Sequence, residues 1–536
     1  MNKSRRFKLL TLLPALLLLP ALVLGCLPRS APEYGGPVFL YVPLDDRPVN
    51  RLQAAEMARL AGIRLVAPPR ELLSGEGRRA PVEKLWPWVE KNSDGVDGAI
   101  LSLDMLVYGG LAASRTHSLA PDVLARRVGM AQDLAESIDG PVYAFATVLR
   151  SAASSRAAEE ADYYRLYGEK IFKLGVLEHR ADLGLASEEE LRDLARLQGE
   201  IPGEYLADYL TRRENNEIVR HEFTQLAGAK VLDYLVIGRD DCYPYGYSSR
   251  EAREVERLIA EQGLEEAAAT YPGADELGFM LLARAFNDLH NLTPRVYTGY
   301  GFPGAEEVTP RYEDVPLGEN IEAHINSLGG RVAAAPEEAD LALAVNAPRD
   351  EAVEKAWQEE FPGKTVPAAT AGLAAELLAR GLPVAVADVA RANGAEPALM
   401  EALAANGLLA DLAGYAGWNT AGNSIGAALA LGSIYAGLLE LGQLDEARQQ
   451  LHQRCLLTRY IDDWGYQAVV RPVLMEKHDL TTTSLLDPAL ERQLAREAEL
   501  LLQEFAAQNL EPSFGSKVPV DGVAFPWLRL FEIEFE

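Results

Sequence analysis

Cysteine and histidine are scarce in this chain, which has three cysteines and seven histidines among 536 residues. The histidines are dispersed, with no HExxH or other paired spacing, so a histidine-rich zinc or iron site is not expected. The GxxxxGK[ST] phosphate-binding loop is absent, and Gly299-Tyr-Gly301 lacks the rest of a dinucleotide fingerprint. These absences argue against histidine-based metalloenzymes, phosphate-loop enzymes and nicotinamide dehydrogenases.

Positive charge is also in short supply, since 51 lysines and arginines face 79 aspartates and glutamates, for a formal net charge of −28. Such a chain repels the phosphates of nucleic acid, so we expect no nucleic-acid partner. The composition is 48% hydrophobic and 24% charged, which is typical of a globular protein with ample core. No other run of membrane-spanning character is evident beyond the N-terminus, so we expect a soluble body.

Residues 1–25 are predicted to be a signal peptide. Basic residues at positions 3, 5, 6 and 8 precede an apolar run, residues 9–24, that is short for a membrane span and broken by Pro14 and Pro20. Val23-Leu24-Gly25-Cys26 resembles the lipobox of bacterial lipoproteins, in which cleavage leaves the cysteine to be acylated. The sequence therefore predicts an extracytoplasmic, membrane-anchored lipoprotein with a tether over residues 26–36; the alternative is an uncleaved anchor.

The export route stays open, because Ser4-Arg5-Arg6-Phe7 partly resembles a twin-arginine signal. After cleavage and acylation only Cys242 and Cys455 remain, and a chain of this size does not need a disulfide framework. We expect both to be unpaired thiols.

From residue 37 to about 440 the sequence alternates short apolar runs with stretches of helical spacing, which predicts an α/β domain with parallel strands. Polar residues follow nearly every predicted strand, so a TIM-barrel-like closed sheet is favoured, with a doubly wound open sheet as the alternative. A helical insertion is predicted over residues 159–227, and residues 441–536 form a mostly helical C-terminal extension.

The pair Asp240-Asp241 follows an apolar strand predicted over residues 234–237 and is the centre of the predicted site. Adjacent carboxylates resist joint ionisation, so they are costly unless they are used or neutralised. Because the carboxyl ends of parallel strands share one edge, polar residues after other strands should converge on the pair. The members of this set that we assign to substrate binding are Asp45, Asp46, Arg47, Asp104, Asp388 and Asn419, with Tyr108 or Trp418 for stacking on a sugar ring.

Two alternatives compete with this interpretation. Polar residues at strand ends also cap helices and bind backbone groups, which is a structural role. Asp240, Asp241, Asp275 and Glu276 could instead hold Ca²⁺ or Mg²⁺, because oxygen ligands suffice for either ion. The favoured site has no metal or other cofactor.

The chain resembles a bacterial family known as domain of unknown function 4127 over most of its length. The matching motifs are residues 41–50, 102–104 with 108–111 and 114–115, 239–241 with 245–246, 273–276 with 284, 387–388 with 393–394, 415–420 with 423, and 463–464 with 466–467 and 471. The resemblance implies one shared polar site, to which it adds Arg115 and Asn393, and names no reaction.

Three functions fit these observations. The first is a glycoside hydrolase-like enzyme acting on envelope or environmental glycans, with Asp240 and Asp241 as the catalytic pair, because glycosidic cleavage canonically requires two carboxyl groups. The second is a non-catalytic glycan-binding lipoprotein. The third is a metal-dependent hydrolase that uses the Asp cluster. The expected partners are a carbohydrate or another small polar ligand, and a membrane only through the lipid anchor.

Replacing Cys26 by serine tests the predicted anchor. Two acyl chains, at about 0.8 kcal/mol per buried CH₂, hold a protein stably on a membrane, and Cys26→Ser removes their attachment point. Cell fractionation should find the wild type with membranes and the variant in the soluble fraction. A variant that stays with membranes would contradict acylation at Cys26.

Overall fold

The computed structural model describes residues 35–348 and 367–536. The predicted signal peptide, Cys26 and nearly all of the predicted tether lie outside the described residues and stay predictions. The strands in the described ranges are β1 (Val38–Val42), β2 (Arg64–Val66), β3 (Gly98–Ser102), β4 (Val142–Val148), β5 (Tyr234–Arg239), β6 (Ala268–Pro272), β7 (Arg295–Tyr300), β8 (Arg331–Val332), β9 (Leu341–Asn346), β10 (Val384–Asp388) and β11 (Gly414–Ala416).

Helices follow most strands. Those in the described ranges are α1 (Ala54–Ala61), α2 (Val82–Asn92), α3 (Leu103–Val107), α4 (Leu111–Thr116), α5 (Pro121–Glu136), α6 (Tyr164–Asp182), α7 (Glu188–Glu200), α8 (Gly203–Gly228), α9 (Tyr247–Gln262), α10 (Leu277–His290), α11 (Leu317–Ser327), α12 (Pro367–Ala379), α13 (Pro397–Ala405), α14 (Ala421–Glu440), α15 (Glu446–Arg459), α16 (Arg471–His478), α17 (Pro488–Asn509) and α18 (Glu511–Phe514). A π-helical segment, Tyr460–Val470, joins α15 to α16.

The strands form two parallel sheets that are wound in the same way. The first has the order β2-β1-β3-β4-β5-β6 and the second the order β11-β10-β9-β7-β8. In each sheet the chain builds one strand to one side of its first strand and then crosses to the other side, between β1 and β3 and between β7 and β9. Ligands of such sheets bind beyond the carboxyl ends of the strands, near these crossover points.

Both faces of the first sheet are buried, which explains why its strands are almost continuously apolar. Phe39 and Tyr41 of β1 face the core shared with the second sheet, whereas Leu40 and Val42 face the outer helices. The long apolar helix α14 packs against α10 and against β10 and β11. In the described part of the chain, α14 alone has the length and composition of a membrane span, and its apolar window is 89% buried within the protein.

The predicted parallel α/β architecture is confirmed, and of its two forms the open sheet is observed. The strands of the described ranges leave both sheets open, with edge strands β2 and β6 in one and β8 and β11 in the other, so the favoured closed barrel was wrong. Two sheets that present their carboxyl ends to one site place polar residues after many strands, as a barrel does. The sequence pattern therefore could not distinguish the two forms.

Two strands were not predicted. β6 ends at Pro272 and is followed by Gly273, and a proline-glycine pair indicates a turn rather than a strand, whereas β8 has only two residues. The predicted helical insertion corresponds to α6, α7 and α8, and the breaks at Gly184 and Pro202 fall between them. Cys242 and Cys455 are both buried and unpaired, as expected.

Candidate functional site

A polar cleft of about 280 Å³ lies at the carboxyl ends of strands from both sheets. Its volume is close to the lower end of the ~300–1,000 Å³ range of small-molecule sites. Its walls come from the loops after β1, β4, β5, β6, β10 and β11 and from α4. The C-terminal segment, which carries Trp527, Arg529 and Phe531, completes them. The lining holds five arginines and five acids: Arg47, Arg115, Arg150, Arg239 and Arg529, with Asp45, Glu159, Asp240, Asp241 and Asp275.

The cleft brings together seven of the residues predicted from sequence. They are Asp45, Arg47, Arg115, Asp240, Asp241, Asn393 and Asn419. They come from both sheets, separated by more than three hundred positions in sequence, because the loops after β1, β5, β10 and β11 reach the same space. The predicted convergence of strand ends on one site is therefore correct for Asp45, Arg47, Asp240, Asp241 and Asn419. Arg115 and Asn393 were assigned to the site by the family resemblance.

Asp46, Asp104 and Tyr108 lie behind the lining instead. The Asp46 carboxylate accepts hydrogen bonds from Trp527 Nε1 at 2.6 Å and Arg70 Nε at 3.0 Å, so it fixes the C-terminal segment. The Asp104 carboxylate accepts a hydrogen bond from the Thr147 hydroxyl at 2.9 Å. Tyr108 is buried and stacks on His117, with ring centroids 4.9 Å apart, so it offers no face for a sugar.

Asp388 and Trp418 are also placed behind the lining. Asp388 accepts hydrogen bonds from Asn346 Nδ2 at 2.8 Å and from the Glu396 backbone N–H at 2.6 Å, and so holds the loop after β10. Trp418 is buried and packs against Phe531, with ring centroids 5.9 Å apart. The prediction that Trp418 or Tyr108 stacks on a ligand is not supported by these positions.

Sequence reasoning left several lining residues unassigned. Arg150 was recognised as a strand-end residue and Asp275 as part of an acid cluster, but neither was assigned to substrate binding. Glu159 comes from the start of the insertion, and Arg529 comes from a C-terminal segment that returns to the cleft. No local pattern marks a returning segment, so only the three-dimensional fold could identify Arg529.

One ion network crosses the cleft from the first sheet to the C-terminus. Arg115 donates to the Asp240 carboxylate, at 3.1 Å from Nε and 2.6 Å from Nη2, and to Glu159 at 2.8 Å from Nη1. Arg529 donates to the other oxygen of Glu159 at 3.0 Å. Burial opposes ionisation of Glu159, but the positive charges of Arg115 and Arg529 outweigh it and lower its pKa to about 2.

A second network holds the loops after β1, β6 and β11. Arg47 pairs with Asp45, whose Oδ2 accepts from Nε at 2.8 Å, and with Asp275. Asn419 Nδ2 donates to Asp275 at 3.1 Å, and Asn50 Nδ2 donates to Asp45 at 2.8 Å. Both oxygens of Asp45 and of Asp275 are engaged, so these two carboxylates are structural supports of the cleft.

Asp240 and Asp241 differ from the other lining acids because each retains an uncommitted oxygen. Among the described residues, Oδ1 of Asp240 and Oδ1 of Asp241 accept no hydrogen bond, whereas the other oxygen of each is bound by Arg115 and Arg150 respectively. The Asp241 side chain is 30% exposed, and its contact with Arg150 Nη1 is long, at 3.4 Å. Burial and then the charge of Asp240 raise the pKa of Asp241.

The backbone around the cleft is strained. Nine non-glycine residues of the described ranges have positive φ, and five of them line the cleft: Glu159, Asp241, Tyr312, Asn393 and Asn419. This conformation is costly for residues with a Cβ and clusters at functional sites, where the surrounding contacts enforce it. Asp241, a lining residue at φ 30°, is therefore held in an unfavourable backbone conformation.

The alternative cation site is not assembled. In the described ranges, no three side chains of His, Cys, Asp or Glu are grouped as metal ligands. Asp240 and Asp275 are bound by arginines, and Glu276 is buried with His324 at 3.5 Å. Arginine guanidinium groups thus contact carboxylate oxygens of Asp240 and Asp275 that would otherwise serve as ligands of a hard cation.

The sequence Gly422-Asn-Ser-Ile-Gly426 matches the GxSxG motif of serine hydrolases, but it does not form the strand–turn–helix structure of their nucleophile elbow. Ser424 lies within α14 and is buried, and its hydroxyl donates to the Trp418 carbonyl at 3.0 Å. A nucleophile elbow exposes its serine at a sharp turn between a strand and a helix. Ser424 therefore has a structural role, because its hydroxyl connects α14 to the loop after β11.

Replacing Asp104 by asparagine should flatten the pH dependence of stability. Burial raises the pKa of Asp104 to about 7, against about 3.9 in an unfolded chain. Between these two values the folded state retains a proton that the unfolded state has lost. The contribution of Asp104 to the free energy of unfolding is therefore complete below about pH 4 and is lost as the pH rises towards about 7. The slope from one such group approaches about 1.4 kcal/mol per pH unit.

Urea unfolding at pH 5 and pH 7 measures this slope. Asp104→Asn should lose less stability than the wild type between the two values, and the exposed Asp411→Asn should behave like the wild type. Burial also raises the pKa values of Asp388 and Asp463, to about 6 and about 7. The stability of both variants therefore still falls to some extent as the pH rises. Equal slopes in Asp104→Asn and the wild type would show that Asp104 ionises in the folded protein as it does in water.

Comparison with known proteins agrees with the resemblance. No curated protein matches the chain. The family described as "Protein of unknown function (DUF4127)" matches residues 39–536, which include every described strand except the first residue of β1 and every residue of the cleft lining. The chain is a member of the DUF4127 family.

Proposed function

We propose that the protein is a glycoside hydrolase-like enzyme in which Asp241 is the general acid and Asp240 orients the sugar. The observation that carries the proposal is the acid pair itself. Of the five acids that line the cleft, only Asp240 and Asp241 have an oxygen that accepts no hydrogen bond from the described residues. A glycosidase needs two such carboxyl groups at the bond that it cleaves.

The environment of Asp241 suits proton donation. A general acid must hold its proton at the working pH, and burial together with the neighbouring Asp240 raises the pKa of Asp241 in that direction. Its 30% exposed side chain is accessible from the cleft. The proton would pass from a carboxyl oxygen of Asp241 to the glycosidic oxygen as the bond to the anomeric carbon breaks. The oxygen of a water molecule would then bond to that carbon, and the proton that the water releases would restore the acid form of Asp241.

Asp240 is held differently. Two nitrogens of Arg115 bind one of its oxygens, and the other accepts no hydrogen bond among the described residues. A carboxyl group fixed in this way can accept a hydrogen bond from a sugar hydroxyl or amide and can face the positive charge that develops at the anomeric carbon. Asn393 and Asn419, from loops of the second sheet, add side-chain amides to the lining.

The proposal places this chemistry outside the cytoplasm, on envelope or environmental glycans. Its basis is the predicted signal peptide and lipobox at Cys26. An enzyme tethered there would meet glycans that never enter the cytoplasm. The Cys26→Ser fractionation described above tests this part independently of the chemistry.

Substituting each acid by its amide tests the catalytic assignment. Aryl glycosides and cell-wall fragments serve as the substrate panel, and turnover is measured with and without chelator. On a substrate that the wild type cleaves, Asp241→Asn and Asp240→Asn should each lose at least about a hundredfold in rate, the low end for general acid–base catalysis. Thermal unfolding should show that both variants remain folded.

The exposed Asp411→Asn is the matched control and should retain wild-type turnover. Chelator should leave the rate unchanged, whereas a metal-dependent hydrolase would lose activity. If both acid variants turn over like the wild type, the pair is structural and the assignment is wrong. Binding of glycans without cleavage of any would instead identify a glycan-binding protein.

A further inference from the structure

Every arginine that lines the cleft is already bound to at least two carboxyl groups. Arg150 contacts Glu160 at 2.8 Å and Asp241 at 3.4 Å, and Arg239 contacts Asp314 at 2.9 Å as well as Glu256. Arg47, Arg115 and Arg529 are paired in the networks described above. No arginine of the lining is therefore left with its charge unopposed.

The lining itself is balanced, with five arginines and five acids, but a further five acids behind the lining also pair with those arginines. The partners of the five arginines are ten different acids: Asp45, Glu76, Glu159, Glu160, Asp240, Asp241, Glu256, Asp275, Asp314 and Glu532. The chain as a whole has a formal charge of −28, which already includes these residues. The five acids behind the balanced lining give the surroundings of the cleft a negative potential towards an approaching ligand, and the low-dielectric walls focus that potential.

We propose that this carboxylate excess is a charge filter, so that the cleft takes uncharged saccharides and rejects those that carry carboxylate, phosphate or sulfate groups. This inference rests on the proposed function and adds the class of substrate to it. Arginine sites that recognise anions keep a guanidinium fork free for the ligand. Here each fork is occupied by the protein's own acids.

The groups that remain uncommitted match hydroxyl groups. Oδ1 of Asp240 and Oδ1 of Asp241 accept no hydrogen bond among the described residues, and the side-chain amide of Asn393 has no partner there. Hydroxyl groups can donate to the carboxyl oxygens and both donate to and accept from the amide. A uronate or phosphate at the same place would set its own negative charge against the Asp240 carboxylate.

Cationic sugars meet a different obstacle. The same field attracts an ammonium group, but a positive charge beside Asp241 favours its ionised form. That removes the proton which the proposed reaction requires. Amino sugars are therefore expected to bind without being turned over.

The test compares ligands that differ only in charge. Wild-type protein is screened on an array of neutral and uronate-containing oligosaccharides, and the neutral oligosaccharide with the strongest signal is then oxidised at C6, which converts a CH₂OH group to a carboxylate. Calorimetry at low salt measures both forms. The oxidised form should bind at least about tenfold more weakly, a factor that corresponds to about 1.4 kcal/mol, and high salt should narrow the difference.

Glu160→Gln removes one carboxylate from Arg150 without changing a residue of the lining, and Glu256→Gln does the same for Arg239. Each should reduce the discrimination against the oxidised ligand by about threefold or more, because a guanidinium then has charge to spare. Glu83→Gln is the matched control, since its exposed side chain pairs with Arg127, which is not a lining residue. Glu83→Gln should discriminate like the wild type. The half-exposed Glu256 gives a second variant if Glu160→Gln does not fold.

The outcomes separate the two proposals. Binding of the oxidised form as tightly as the neutral form, or equal discrimination in Glu160→Gln, Glu256→Gln and the wild type, would overturn the charge filter and leave the glycan function standing. Binding of no oligosaccharide on the array would overturn the glycan function itself. Weaker binding of the oxidised form that recovers in the Glu160 and Glu256 variants but not in Glu83→Gln would support the inference.

Discussion

Pairing between buried arginines and carboxylates is the interaction on which the cleft depends. The side chains of Arg47, Arg115, Asp240 and Asp275 are each less than one-tenth exposed, so their charges are removed from water. Such pairs repay their desolvation only when geometry and additional hydrogen bonds are good, and removal of one partner typically costs about 3–5 kcal/mol. The pairs Arg47–Asp275, Arg115–Asp240 and Arg529–Glu159 join segments that are distant in sequence. This network of arginine–carboxylate pairs fixes the positions of Asp240 and Asp241, and disrupting it would destabilise the fold.

The two sheets explain why that network can exist. Each is wound about its own crossover point, and the loops beyond their carboxyl ends reach one cleft. The strands of the first sheet and the segments after them supply the five acids and four of the five arginines, and loops of the second sheet supply Asn393 and Asn419. Asp463, from the π-helical segment, accepts hydrogen bonds from the Gly417 N–H through its carboxylate and the Ala395 N–H through its backbone carbonyl, so one residue holds both amide-bearing loops. The C-terminal segment closes the arrangement through Trp527 and Arg529.

The α/β class and the parallel strands could be predicted from sequence, because short apolar runs that alternate with helical spacing are a local signal. Polar strand ends marked five residues of the cleft, and the family resemblance added Arg115 and Asn393. Asp104 and Asp388 follow the same rule and yet lie behind the lining. A strand end identifies the edge of the sheet, but the direction of each side chain depends on how the next loop turns. Arg529 and Glu159 reach the cleft through tertiary contacts, which leave no periodic trace in sequence. The choice between a barrel and two open sheets depends on strand order, which the alternation of strands and helices does not encode.

The proposed chemistry depends on a protonated Asp241, so a direct measurement of its pKa tests the proposed function most directly. A carbon-detected NMR titration of the side-chain carboxyl groups, assigned with Asp241→Asn, gives its pKa in the folded protein. The pKa should lie above the ordinary aspartate value, and Asp240→Asn should bring it down, because the charge of Asp240 is the second cause of the shift after burial. An ordinary or lowered pKa in the wild type would mean that Arg150 and Arg115 govern Asp241, and that it cannot serve as the proton donor.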